Sequence, residues 1–151
     1  MELIFGSDHA GFILKEELKN FMKQDESHQI FDEGCFSEER CNYPLFSQKV
    51  VQRVLTGAGR GILVCGSGIG VDMVANRFQG IRAALVRSIE EAKLSRQHND
   101  ANILCLGSRI TSSDLCKEII SAWLAEPFEG GRHSERVAMF SNIGADPSIE
   151  L

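Results

Sequence analysis

One cysteine in this chain stands where a side chain can do chemistry. In Gly61-Ile62-Leu63-Val64-Cys65-Gly66-Ser67-Gly68-Ile69-Gly70 an apolar run of strand length ends in a thiol, a hydroxyl and three alternating glycines. Ile62, Leu63 and Val64 have no polar face, which suits a strand buried on both sides of a parallel sheet and leaves Cys65 at its carboxyl end. Gly66, Gly68 and Gly70 let the backbone turn tightly and present its amides, and residues 71–78 can continue as a helix whose positive end faces an anionic atom above the sulfur. A helix start favours thiolate over thiol, so Cys65 is a candidate base for a carbon-bound proton as well as a candidate nucleophile. The turn amides are then donors for the oxyanion that results.

Other polar residues fall where they can join it. Asp8 and His9 lie between a first strand over residues 2–6 and a helical pattern that puts Leu14, Leu18, Phe21 and Met22 on one face. Asp8 suits a helix cap or a ligand group equally, and His9 offers an imidazole on the ligand side of the sheet. Arg132 and Arg136 are four apart, so on a helix they present two guanidinium forks to a phosphate or carboxylate; the alternative is a solvated face paired with Glu129 and Glu135. His133 between them reads as an incidental loop imidazole, and His28 as solvated surface. A dinucleotide fingerprint would belong in the first strand–helix unit, a Walker A loop needs a GK pair, and a cysteine-phosphatase loop needs arginine where Val71 stands. No His, Cys and carboxylate spacing marks a metal site.

The elements that position these residues follow from periodicity. Strands are expected over 2–6, 29–32, 62–65, 82–86 and 103–106. Helices are expected after each: one opened by Pro44 with Phe46, Val50 and Val54 on a face until Gly57-Ala58-Gly59, one capped by Ser88 with Glu91, and one capped by Thr111 with Asp114, with Leu115, Ile119, Ala122 and Trp123 inward. This alternation predicts an α/β protein, a three-layer Rossmann-like fold with a five-stranded parallel sheet flanked by helices on both faces. Ligands of such sheets bind beyond the carboxyl ends of the strands, where Asp8, His9, Cys65, the glycine turn and the residues around Arg109 all fall.

The 151 residues fit one domain, and a net charge of −5 gives no case for nucleic acid, so an anionic ligand must meet a local basic cluster. No basic and apolar leader or membrane-spanning stretch is visible, and five cysteines without CxxC spacing argue against a disulfide framework; a cytoplasmic protein is expected.

Gly6-Ser7-Asp8-His9-Ala10-Gly11-Phe12, Asn42-Tyr43-Pro44, the Cys65–Gly70 stretch, Ala75-Asn76, Gly80-Ile81-Arg82-Ala83, Ser95-Arg96-Gln97-His98-Asn99-Asp100-Ala101-Asn102 and Gly130-Gly131-Arg132-His133 together resemble type B ribose-5-phosphate isomerases over nearly the whole chain. The resemblance implies interconversion of ribose 5-phosphate and ribulose 5-phosphate, a step of the pentose phosphate pathway, without metal or organic cofactor. It also implies a homodimer or dimer of dimers with sites shared between subunits, residues from about 127 to 151 packing on the partner. By resemblance Cys65 shuttles the proton between C1 and C2, Ser67 and the amides of Gly66, Gly68 and Gly70 hold the enediolate, and His98 helps open the furanose. Asp8 and Asn99 contact the sugar, and His9, Arg109, Arg132 and Arg136 bind the phosphate, with the arginines and His98 from the neighbouring subunit. Ser67 replaces a common threonine and Asn42 a common aspartate; one branch has a glutamate base at the position of Val71, and Cys65 places this chain in the other. The rival readings are an isomerase of a six-carbon sugar phosphate and a sugar-phosphate-binding module without turnover.

Overall fold

The computed structural model describes residues 1–57 and 59–143. Strands β1 (Glu2–Ser7), β2 (Gln29–Asp32), β3 (Arg60–Cys65), β4 (Ala83–Leu85) and β5 (Ile103–Gly107) alternate with helices α1 (Phe12–Met22), α2 (Tyr43–Thr56), α3 (Ile69–Ala75), α4 (Ile89–Asn99) and α5 (Ser113–Ala125). A further helix, α6 (Arg132–Met139), runs into a 3-10 turn at Phe140–Asn142. All five strands pair in parallel in the order β2-β1-β3-β5-β4. The chain therefore reverses its direction of travel across the sheet between β1 and β3, which opens a crevice at their carboxyl ends.

Successive side chains on a strand point to opposite faces, and here both faces are apolar. Leu3, Phe5, Ile62, Val64, Leu104 and Leu106 pack with Leu14, Leu18, Ala92, Ile119 and Trp123 of α1, α4 and α5. On the other face Ile4, Leu63, Cys65, Ile103 and Cys105 pack with Val50, Val54, Val71 and Ala75 of α2 and α3. Three layers result, as the apolar runs require. Among the described residues no helix is long and apolar enough to cross a membrane.

Several details differ from the sequence reading. Helix α3 starts at Ile69, directly on the glycine turn, and stops at Ala75; β4 keeps only three residues. Ser112, not Thr111, caps α5, accepting from the Leu115 N–H at 3.4 Å. Ser88 caps α4 as expected, but the Glu91 carboxylate accepts from Arg87 N at 2.6 Å rather than closing a reciprocal box. His28 is largely covered, its Nε2 3.4 Å from the Asp25 carboxylate. Residues 144–151, the end of the segment expected to pack on a partner, and Ala58 of the expected helix stop lie outside the described residues.

The least expected feature is Lys15, fully buried on the inner face of α1. Its ammonium donates to Asp32 Oδ1 at 2.7 Å and to the Cys35 carbonyl at 2.8 Å, between the rings of Phe12 and Phe36. Lys19 joins the same carboxylate. Burial pushes the Asp32 carboxyl up, but hydrogen bonds from Lys15, Lys19 and the Gly34 N–H outweigh it and hold it below the usual carboxylate value.

A carboxylate held low stabilises the fold above its unfolded pKa of about 4, and that stability is lost as pH falls through the folded value. Removing Asp32 leaves the buried Lys15 charge with only the partly exposed Glu16 carboxylate, 3.1 Å away, so Asp32→Ala is expected to cost about 3 kcal/mol in urea unfolding at neutral pH. The gap from the parent should narrow in acid; an equal gap at both pH values would show that the carboxylate charge is not what holds Lys15.

Candidate active site

Beyond the strand ends the backbone keeps pairing, and this fixes the loops around the crevice. Asp8 N donates to Val64 O at 3.2 Å, Ser108 N to Cys65 O at 2.9 Å and Arg109 N to Gly66 O at 3.0 Å. Ser108 Oγ ties β5's loop to β1's by donating to Ala10 O at 2.8 Å. The approach is so close that a Cβ on Gly107 would lie 2.6 Å from the Ser67 carbonyl oxygen. Gly68 takes φ +78°, a conformation L side chains disfavour, to turn the chain into α3. The loops enclose a cleft of about 330 Å³ lined by Asp8, His9, Ala10, Tyr43, Cys65, Gly66, Ser67, Gly70, Arg109 and Ile110.

Cys65 is only 5% exposed, at the floor of this cleft. Its Sγ accepts from the Gly68 N–H at 3.1 Å, a donor that stabilises negative charge on sulfur. Ser67 is held at the turn by the Ile69 N–H, which donates to its Oγ at 3.3 Å. Behind the sulfur, burial pushes the Cys105 thiol well up, with Asp72 and Cys65 adding to the effect, so Cys105 stays an uncharged core residue. Burial also raises the Asp72 carboxyl against hydrogen bonds from Asn76 and Leu85 N. Burial likewise pushes the Cys116 thiol up to about 11.

Asp8 combines both roles left open by the sequence: it lines the cleft, and its Oδ1 accepts from Gly11 N at 2.9 Å at the start of α1. His9 Nδ1 accepts from Cys41 N at 3.3 Å, which leaves the ring proton on Nε2. Sequence reasoning missed Tyr43 and Ile110 as lining residues. Tyr43 had a usable signal, an aromatic before the proline that opens a helix, and its ring packs so closely on the turn that a Cβ on Gly70 would meet it at 2.8 Å.

The remaining expected residues are elsewhere. Helix α4 returns from the carboxyl edge of β4 to the amino edge of β5, so His98 and Asn99 sit at the opposite end of the sheet from Cys65. Arg82, just before β4, donates through Nε to the Asn99 carbonyl at 3.1 Å and marks that edge. Helix α5 makes the same return and delivers Arg132 and Arg136, both exposed, to the amino side on α6. His98 stacks there on His133, a buried imidazole, with centroids 4.4 Å apart. Arg109 does not go with the other arginines: the resemblance gives all three to a neighbouring subunit, but its guanidinium lies against Gly66 of its own chain.

A family profile described as Ribose/Galactose Isomerase matches residues 3–140. The chain is 43% identical to ribose-5-phosphate isomerase B of Escherichia coli, over 94% of this chain and 95% of that protein. It superposes with a TM-score of 0.92 on Clostridium thermocellum ribose-5-phosphate isomerase B, 42% identical and covering 95% of this chain and 97% of the other. A ribose 5-phosphate isomerase from Thermotoga maritima gives 0.91 at 41% identity, covering 94% and 98%.

Because the Gly107 position meets backbone rather than a flexible side chain, Gly107→Ala must displace the Ser67 turn. Overpacking of this kind is expected to cost about 1–3 kcal/mol in denaturant unfolding. It should also change the alkylation rate of Cys65, read by peptide mass spectrometry, while leaving Cys116 unaffected. An unchanged Cys65 rate would show that the turn does not depend on this contact.

Proposed function

Since the chain belongs to the ribose/galactose isomerase family, we propose that it is an aldose–ketose isomerase interconverting D-ribose 5-phosphate and D-ribulose 5-phosphate. The observation that carries this reading is the Cys65 sulfur on the floor of a sugar-sized cleft at the β1/β3 reversal, facing Ser67 and Arg109. In the open-chain sugar the C2 proton is acidified by the C1 carbonyl. Cys65 takes that proton, the charge moves to oxygen as an enediolate, the O2 hydroxyl proton passes to O1, and the same group returns a proton to C1. Carbon 1 is reduced as carbon 2 is oxidised, so the step needs no external redox partner. Ser67 and the amides of Gly66, Gly68 and Gly70 are the donors for the enediolate. Asp8 binds sugar hydroxyls, and His9 with Arg109 begins the phosphate site.

The opening of the furanose and the rest of the phosphate site are assigned to a second copy of the chain. His98, Asn99, Arg132 and Arg136 cannot reach their own chain's cleft from the amino edge, but a twofold partner can bring them to it, and a twofold operation completes both sites at once. The surface supports pairing: Ile69 and Met73, one turn apart on α3, are 45% and 65% exposed, and Leu45 on α2 and Met139 on α6 are also uncovered. A homodimer, alone or doubled, is therefore the proposed assembly.

The direct test incubates chelator-treated protein with ribose 5-phosphate in deuterated water, following ribulose 5-phosphate, label at its C1 and label at C2 of the recovered ribose 5-phosphate. Product with label is expected. Product from allose or galactose 6-phosphate alone would make this a six-carbon isomerase, and binding without label a non-catalytic module. Cys65→Ala should lower kcat by about a thousandfold or more with little change in substrate affinity, whereas Arg136→Ala should chiefly raise KM.

Shared sites make a sharper expectation. Cys65→Ala and His98→Ala homodimers should each be nearly inactive, yet mixing and reannealing them should restore about a quarter of parental activity, because half the dimers then carry one intact site. No recovery, with subunit exchange verified by mass spectrometry, would place His98 outside a shared site.

A further inference from the structure

The amino-side corner where α4, the 126–131 connection and α6 meet gathers three donor atoms around one gap. The imidazoles of His98 and His133 lie face to face, 10° from parallel. Their Nε2 atoms approach the same Glu129 oxygen, at 4.0 and 3.7 Å, and the three donors all lie within 4.8 Å of one another. These separations are too long for hydrogen bonds, so the atoms converge without satisfying each other. Around a tetrahedral zinc ion with bonds of about 2.0–2.1 Å, donors sit roughly 3.3 Å apart. Bringing this set to that geometry takes contractions of about 0.4 and 0.7 Å on the Glu129 contacts and of up to about 1.5 Å on the widest separation, with one imidazole turning out of the stack so that both in-plane lone pairs meet at one ion.

We propose that His98 Nε2, His133 Nε2 and Glu129 Oε2 form a binding site for a borderline divalent transition-metal ion such as Zn²⁺, with its fourth position open. Two imidazoles and one carboxylate suit Zn²⁺ or Co²⁺ and are poor ligands for Mg²⁺ or Ca²⁺. The donors are held from behind: Glu129 N donates to Gln97 O at 3.1 Å, Gln97 Nε2 to the Glu126 carboxylate at 2.8 Å, and His133 N to Gly130 O at 3.0 Å. Gly130 and Gly131, at φ +67° and +57°, fold the chain back so that Glu129 and His133 face the same gap. Burial, then His98 and Arg132, push the His133 imidazole below its usual pKa. Arg132 and Arg136 also oppose a cation, which makes the site weaker than a closed structural one.

The consequence for activity rests on the isomerase reading; the site itself does not. An ion on His98 Nε2 removes the group assigned to ring opening, so occupancy inhibits. The test titrates metal-free full-length protein with Co²⁺ by visible absorption and with Zn²⁺ in competition with a chromogenic chelator, beside Glu129→Gln and His133→Asn. One equivalent per chain is expected, without the near-ultraviolet thiolate charge-transfer band, and at least tenfold weaker in each variant. Glu129 is exposed, so its variant keeps the test valid should His133→Asn misfold. No binding, a thiolate band, or unchanged affinity in Glu129→Gln overturns the proposal. Binding as described in a protein that shows no turnover would uphold the site and defeat the isomerase reading.

Discussion

The hydrogen-bond ladder does not stop where the strands stop, and the cleft depends on that continuation. Loops at a sheet's carboxyl edge carry amides and carbonyls that must find partners once covered. Here they find each other, through the amides of residues 8, 108 and 109 and the carbonyls of 64, 65 and 66. Three segments far apart in sequence are thereby held around one cleft, with Cys65 in its lining. The same closeness explains why a side chain is excluded at Gly107, and at Gly11, where a Cβ would come within 2.5 Å of the Val64 carbonyl oxygen.

Much of this was legible in the residues. Unbroken apolar runs located the central strands, because a strand buried on both faces has no other way to be written; the edge strand β2, only partly buried, was placed to the residue around the shorter pair Ile30-Phe31. The carboxyl-edge cluster followed from the alternation of strands and helices alone. Boundaries were less visible where two residues could serve equally. Thr111 and Ser112 are both capping types, and the choice went to the one whose backbone is extended, with Thr111 buried instead. Lys15 was invisible because its partner, Asp32, lies 17 residues away on another element and the periodic pattern around it looks complete without a charge. His133 was read as an incidental loop residue because its cover comes from His98, on a helix that precedes it by a strand and another helix.

The division of the expected site residues between two edges is a matter of direction. Parallel strands force every connecting helix to run back, so a residue near the start of such a helix faces the cleft and one near its end faces away. Asp8 and Ser67 precede helices; His98 and Asn99 end one. Sequence distance carries no trace of this, whereas position within the helix does. Under the proposed reading, what looks like dispersal in one chain becomes economy in a symmetric pair, since one copy's far edge is its partner's missing half.

Cys65 belongs to two structures at once. It lines the cleft, and it is also a member of the apolar cluster that Val71, Ile103 and Cys105 build beneath α2 and α3. A reactive group on a mobile loop can be retuned without touching the fold, but this one is set into close-packed interior, where a change of one methylene propagates. Reactivity and folding stability here share residues, so neither can drift far without the other. Variation that adapts such a protein to new substrates must therefore accumulate at the rim of the cleft, around Tyr43, Ile110 and the loop bearing Cys41, and leave its floor alone.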